Sequence, residues 1–464
     1  MSRVRSICLL LIFTWVTITT YAQPDNNHQL KVSANHSFFV GENGKPFFWL
    51  GDTGWLLFTK LTREEAEIYL EDRRLKGFNV IQVMLLHTVA AVNVYGDSAL
   101  INKNVAHPRT TPDSTTEYIN QYDYWDHVEY IIDLAAKKNL YMALVPVWGS
   151  NVKAGLVKKE DAEEYARWLA DRFHNKWNII WLNGGDTKGG DAINTWNAIG
   201  NTLKSNDPGH LITFHPFGRT SSSQWFHNET WLDFNMFQSG HKNYEQNAAA
   251  GDAAFGPDNY KYVNHDAHLE PLKPVLDGEP SYELIPQGLH DTTQPYWLAK
   301  DVRRYAYWSV FAGAAGHTYG HSSVMQMHLP KDVKSAYGSK KYWYQALNDD
   351  GARQMLYLKK LILSKPYFER IPDQSLIAGE VGVKYNYIAA TRGNDFAFIY
   401  NYTGRTFEVN MGKIKGQKLR ASWYNPRNGR TTSLGIVENK GTHLFDPPGE
   451  KAEGNDWVLI LEKM

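Results

Sequence analysis

Eight short apolar runs, most separated by a helix-length amphipathic segment, occupy residues 46–321 and constrain this chain more than any other feature. They read PFFWLGD (46–52), NVIQVMLLH (79–87), LYMALVPVWGS (140–150), NIIWLNGGD (178–186), HLITFHPFGR (210–219), LDFNMFQSGH (232–241), PVLDGEPSYE (274–283) and AAGHTYGH (314–321). Continuous apolar runs of this length are what parallel strands buried on both faces require. The segments between them carry helical periodicity. Thr62 to Lys76 opens with Thr62 and Glu65 at capping-box spacing. Tyr124 to Lys138 places Val128, Ile131, Ile132 and Ala135 on one face. Lys158 to Phe173, Asp191 to Ser205, Gln294 to Ala312 and Gly351 to Ser364 continue the pattern, the last stopping before Pro366. Eight strands alternating with helices predict an α/β fold, a (β/α)8 TIM barrel. A doubly wound open sheet is the competing arrangement, but no Gly-x-Gly-x-x-Gly turn follows the first run, which argues against dinucleotide binding. FFVGENGKPFF (38–48) predicts a β-hairpin closing the barrel floor, with ENGK as its turn.

From about Arg370 short β-rich runs alternate with Gly, Asn and Asp turns, and no amphipathic helix of useful length remains. This predicts an all-β sandwich over 370–464, after a catalytic barrel over 23–369. Residues 1–22 read as a secretory signal peptide. Arg3 and Arg5 precede an apolar stretch, and cleavage is expected after Ala22. The expected product is exported to the periplasm. Cys8, the one cysteine, leaves with the leader, so no disulfide, thiol catalysis or cysteine-bound metal is expected. No later run is long enough to span a membrane. Basic and acidic residues balance at 49 each, which gives no basic field for nucleic acid. The 16 Trp and 27 Tyr suit a large core and equally suit stacking on sugar rings.

In a barrel of this kind the working residues sit at the C-terminal ends of strands. Those positions hold Asp52, His87, Trp148, Asp186, His215, Arg219, His241, Glu279, Glu283, His317 and Tyr319. Asp186 and Glu279 end the fourth and seventh runs. A glycosidic bond is cut by such a pair: one carboxyl protonates the leaving oxygen, and the other attacks the anomeric carbon or activates water. The glycines beside them, Gly184, Gly185 and Gly278, are expected to let substrate approach. A single strand-end acid is more often a helix cap or an ion-pair partner, so the reading rests on the pair. Asp52, Trp55, His87, Trp148, His215, Arg219, His241, His317 and Tyr319 are the candidates to bind sugar, although each alone suits core packing or a cap. Arg219, Lys188 and Lys242 follow strand ends and could meet a uronate carboxylate.

Two resemblances sharpen this. The placement of the acids resembles the clan of retaining β/α-barrel glycoside hydrolases, with an acid/base on strand four and a glutamate nucleophile on strand seven. KPVLDGEPSYE (273–283) is similar to the strand-seven pattern; WLNGGD departs from strand four, where the clan has Asn followed by Glu. FFWLGDTGWLLFTKLTREEAEIYLEDRRLKGFNVIQVML, NGGD, DGEPSYE and WYNPRNG (423–429) together resemble glycoside hydrolase family 140. That resemblance implies an apiosidase acting on side chains of the pectin rhamnogalacturonan II, and a C-terminal domain that bears a collagen-binding label. It implies Asp186 as acid/base and Glu279 as nucleophile, with Glu283, beyond Pro280, as the second candidate. No cofactor is implied. The partner implied is a plant cell-wall oligosaccharide.

Rival chemistries fit less well. His317 and His321 are four apart but in a Gly-rich segment, with no His-Glu-x-x-His helix. No Gly-x-Ser-x-Gly elbow exists for a serine hydrolase. A glycosidase of the same clan with another plant-polysaccharide substrate, and a non-catalytic glycan-binding protein, remain as alternatives.

Overall fold

The structure, a computed structural model, describes residues 29–41, 44–117, 122–247 and 255–464. The expected leader (1–22) and two residues of the hairpin turn (42 and 43) lie outside the described residues. All eight apolar runs form strands: Trp49–Thr53 (β1), Val80–Met84 (β2), Tyr141–Val145 (β3), Ile179–Thr187 (β4), Ile212–Pro216 (β5), Asn235–Gln238 (β6), Val275–Asp277 (β7) and Gly316–Tyr319 (β8). They pair in parallel in the order β5-β4-β3-β2-β1-β8-β7-β6, with Thr220–Ser221 added antiparallel to β6. The strand between β1 and β7 in space is therefore β8, so the chain has wound once around an axis. The seam lies between β5 and β6, where the Thr213 hydroxyl donates to the Phe234 carbonyl at 2.6 Å. This is a TIM barrel.

The helices follow the periodicity. Arg63–Leu75 (α1) has its capping box: Thr62 Oγ1 accepts from the Glu65 N–H at 3.3 Å, and the Glu65 carboxylate accepts from the Thr62 N–H at 2.9 Å. Tyr124–Lys137 (α2), Lys159–Phe173 (α3), Ile193–Asn206 (α4), Tyr260–Asp266 (α5), Ala299–Phe311 (α6) and Asp350–Leu363 (α7) complete the outer layer. Helix α6 begins at Ala299, later than the pattern from Gln294 predicts. Pro295 and Tyr296 instead run extended, with Tyr296 bridging Pro286, as a proline-containing segment prefers. Between β5 and β6 the principal helix is the single turn Ser223–Phe226. The predicted hairpin pairs Phe39–Val40 with Pro46–Phe47. Phe39 sits 5.9 Å from the Trp49 ring and 5.0 Å from Phe234, at the N-terminal ends of β1 and β6, and so plugs the barrel floor.

Past residue 370 all regular structure except single 3-10 turns is β. A six-stranded antiparallel sheet (strands at 371–372, 388–392, 396–401, 457–463, 418–424 and 431–438) faces a three-stranded one (377–378, 407–410 and 442–445). Ile399, Val409, Leu419, Trp423 and Leu459 fill the space between. The outer face of the larger sheet packs on α6. Tyr260 stacks on Tyr387 at 3.8 Å and Tyr307 on Tyr400 at 4.6 Å. Arg303 of α6 forms a bidentate pair with buried Asp456 at 2.9 and 2.8 Å, and the Tyr400 hydroxyl donates to the same carboxylate. One continuous apolar cluster runs from the barrel into this sheet. Among the described residues no helix is long and apolar enough to cross a membrane.

Candidate active site

Strand β4 does not end as a regular strand. Gly184 pairs with His215 and Thr187 with Pro216, so Gly185 and Asp186 stand out of the ladder as a bulge. Gly184, Gly185 and Asp186 all have positive φ, at 89°, 109° and 50°. Aspartate tolerates that region better than most residues, at a cost of about 1–3 kcal/mol of backbone strain. The glycines are obligatory for a further reason. A Cβ on Gly184 would sit 2.6 Å from the Phe214 ring, and one on Gly185 would sit 2.6 Å from Trp148. A Cβ on Gly278, before Glu279, would meet Met236 Sδ at 2.4 Å. These glycines therefore admit neighbouring protein side chains, not the substrate expected from the sequence. The bulge pushes the Asp186 carboxyl out of the ladder into an open cavity.

That cavity has a volume of about 460 Å³ and lies at the C-terminal mouth of the barrel. Asp186 and Glu279 both line it. Their surroundings are opposite. Glu279 is 7 % exposed and held by two imidazoles: His241 Nε2 lies 3.0 Å from Oε1, and His215 Nε2 lies 3.2 Å from Oε2. Burial by itself would raise its pKa, but the imidazoles of His215 and His241 against its two oxygens outweigh burial and hold it far below the usual range. Asp186 is exposed to the cavity. Desolvation by the surrounding cavity walls, then the negative charge of Glu279, raise its pKa above the usual aspartate value; His215, His241 and a hydrogen bond from Gln238 pull the other way. One carboxyl is thus kept ionised and the other biased toward its acid form.

The walls are aromatic. Trp55 and Trp148 meet with ring centroids 5.2 Å apart, and both pack against His215. Trp55 Nε1 donates to the Tyr282 hydroxyl at 3.2 Å, and the Tyr282 ring lies edge-on to His241 at 4.7 Å. Tyr337 and His290 pair across the rim, 5.5 Å apart. His87 lines the cavity with its Nδ1 buried and unpartnered, and burial lowers its pKa, so the ring is neutral. Arg219 and Lys242 supply cations to the same wall. A second chamber of about 240 Å³ adjoins on the other flank of Asp186. It shares Asp186 and Phe217 with the first and adds Lys153, Lys188 and Asp191.

Of the residues singled out from sequence, Trp55, His87, Trp148, Asp186, Arg219, His241 and Glu279 line the cavity, and His215 stands directly behind Glu279. Four do not. Asp52 is fully buried, taking a hydrogen bond from Tyr69 at 2.7 Å and pairing with buried Arg73 at 3.2 Å, a strut between β1 and α1. Glu283 accepts from the Tyr319 hydroxyl at 2.6 Å and from the Gly351 N–H at 3.1 Å, so both Glu283 and Tyr319 are spent tying β8 to α7. His317 is fully buried, and burial lowers its pKa to about 3. His321 caps the turn that follows β8 by accepting from the Ser323 N–H, and pairs with Asp349. Among the described residues no cluster of three or more His, Cys, Asp or Glu could hold a metal ion.

Asp277 and Glu279, two apart, part company because β7 ends at Asp277. Asp277 faces outward to Ser239 and Asn259, at 2.8 and 3.0 Å. Sequence reasoning missed Gln238, Tyr282, Tyr337 and His290. Gln238 ends the NMFQ strand and Tyr282 lies inside DGEPSYE, so strand-end polarity could have found both. The two loop residues carried no signal.

Residues 33–369 match the sequence model of an apiosidase-like catalytic domain, and residues 371–462 match that of a domain described as collagen-binding, of a collagenase. A solved glycoside hydrolase superposes with a TM-score of 0.89 at 48% identity, covering 94% of this chain and 97% of its own. A glycoside hydrolase family 5 protein from Bacteroides vulgatus does so at 0.89 and 43%, covering 94% of both chains. A further glycoside hydrolase structure from that organism shares the fold at 14% identity with a TM-score of 0.64, covering 95% of this chain and 83% of its own. No curated protein matches the chain.

Proposed function

The chain belongs to the apiosidase-like family and is a glycoside hydrolase; from that premise we propose that it is an exported, periplasmic enzyme of the family 140 type, which cleaves an apiosidic bond in rhamnogalacturonan II with retention of configuration. The observation that carries this reading is the opposed bias of two carboxyls on one cavity: Glu279 held ionised by two histidines, Asp186 pushed toward its acid form. Glu279 attacks the anomeric carbon while Asp186 gives its proton to the leaving oxygen. Water then enters, Asp186 takes its proton, and the glycosyl–Glu279 ester breaks to release the sugar. Trp55 and Trp148 supply flat apolar faces for the sugar ring, and His87 lines the same cavity.

Cations support an acidic polysaccharide as substrate. Arg219 and Lys242 stand in the main cavity, and Lys153 and Lys188 in the chamber beyond Asp186. A general acid must touch the leaving-group oxygen, so that chamber is where the departing sugar sits. A departing uronate would place its carboxylate near those lysines. The reading is tested by incubating the chain with rhamnogalacturonan II oligosaccharides and a panel of other plant glycans, following released sugar and its first-formed anomer by proton NMR. Release of apiose-terminated product with retained configuration is expected. An inverted product overturns the mechanism, and cleavage of another glycan alone overturns the substrate.

A further inference from the structure

A separate cavity of about 430 Å³ lies between α7 and the C-terminal sheet. Its position is remote from the barrel mouth: Lys359, beside it on α7, donates to the carbonyl of Gly77, which precedes β2 at the barrel floor. Tyr424 and Ile460 from the sheet form the buried bottom. The half-buried Tyr357 ring forms a wall, pinned by the Asn425–Arg430 turn. Gly429 lies so close that a Cβ there would meet the ring at 2.6 Å, and its φ is +71°. The Tyr424 hydroxyl donates to the Tyr357 carbonyl at 2.8 Å, fixing the two aromatics relative to each other. Asn428, Thr431 and Ser364 offer polar groups at the rim.

Charge around the cavity is one-sided in an otherwise balanced chain. Lys365 pairs with Glu462. Lys360 lines the cavity and has no ionic partner among the described residues. Two lysines, Lys360 and Lys365, against one carboxylate, Glu462, leave the lining net positive. A rigid aromatic wall, amide and hydroxyl groups and an unpaired cation are the chemistry that recognises an acidic sugar chain.

We propose that this junction cavity is a second carbohydrate site, which takes a uronate-bearing oligosaccharide with Tyr357 as the stacking wall and Lys360 as the carboxylate partner. The uronate class rests on the acidic-polysaccharide reading of the substrate given above. The site gives the C-terminal domain a role beyond bracing the barrel: it holds the polymer while the barrel mouth cuts it. Neither Tyr357 nor Lys360 touches the catalytic cavity.

The test uses the full chain carrying Glu279→Gln, titrated calorimetrically with trigalacturonate. Salt-sensitive binding is expected, and Lys360→Glu or Tyr357→Ala should weaken the junction site about tenfold or more, the size of one charge-assisted contact. In the active chain, Lys360→Glu should lower the rate on polymeric pectin and leave the rate on a short oligosaccharide unchanged. Binding unaltered by both substitutions, absence of binding, or equal binding of neutral maltotriose overturns the proposal. A chain that binds trigalacturonate at Lys360 yet hydrolyses no pectin would sink the catalytic reading alone.

Discussion

The ends of β4 and β7 deliver the same functional group by opposite means. At β4 the backbone is distorted, with three successive residues at positive φ, and the acid is exposed. At β7 the glutamate leaves the strand end buried, and its side chain is fixed from outside by His215 and His241. The contrast teaches where each acid's protonation comes from. Asp186 is raised by desolvation against the cavity walls and by a neighbouring anion. Glu279 is buried more deeply, yet it is lowered because two nitrogens face its oxygens. Hydrogen-bond partners, not burial alone, decide the direction.

That contrast can be broken in order of size. Glu279→Gln removes the proposed nucleophile and should cut kcat by about 10^4-fold or more; steady-state kinetics on any cleaved oligosaccharide reads it. Asp186→Asn should cost about 10^2- to 10^4-fold, the range for a general acid, and less on substrates whose leaving group needs no proton. The pH profile of kcat/KM gives the sign. The proposed general acid must be protonated to act, so wild type should lose activity as pH rises through the raised pKa of Asp186, and the Asn variant should lack that alkaline limb. His241→Ala removes one partner of Glu279 and should cost about tenfold. Because the lowered Glu279 pKa then rises, the acid limb should move to higher pH.

Gly185→Ala attacks the bulge itself. The added methyl meets Trp148 at a φ of 109°, so a stability loss of about 1–3 kcal/mol is expected by denaturant titration, with lowered kcat as Asp186 shifts. Glu283→Gln is the smallest. Its carboxylate serves Tyr319 and Gly351, so kcat should stay within about a factor of three while stability falls by about 1–3 kcal/mol. Loss of turnover comparable to that of Glu279→Gln would instead make Glu283 the nucleophile.

Much of the barrel was legible because strands buried on both faces must be apolar, and the helices between them must carry one apolar stripe. The capping box at Thr62 and Glu65 was legible for the same local reason. Helix α6 started late because Pro295 and the Tyr296 bridge to Pro286 belong to a loop whose partner is distant in sequence. The acids at 186 and 279 could be picked as a pair, since strand ends in a barrel converge. Asp52, Glu283, His317 and Tyr319 satisfy the same strand-end rule yet point to Arg73, Gly351 or the interior. Nothing in the linear pattern distinguishes a strand-end side chain aimed at the mouth from one aimed at the next helix. Tyr337 and His290 come from loops, where no periodicity applies.

The sequence by itself determined the architecture and put Asp186, Glu279 and the glycines before them at strand ends, because these follow from local conformational preference and from burial repeated at regular spacing. Only the tertiary structure decided the opposed protonation bias of the two carboxyls, Glu279 toward its anion and Asp186 toward its acid form. That bias depends on two histidines, on β5 and just after β6, meeting Glu279 just past β7 across the mouth of the barrel, and a pKa is set by what surrounds a group in space, not by what adjoins it in the chain.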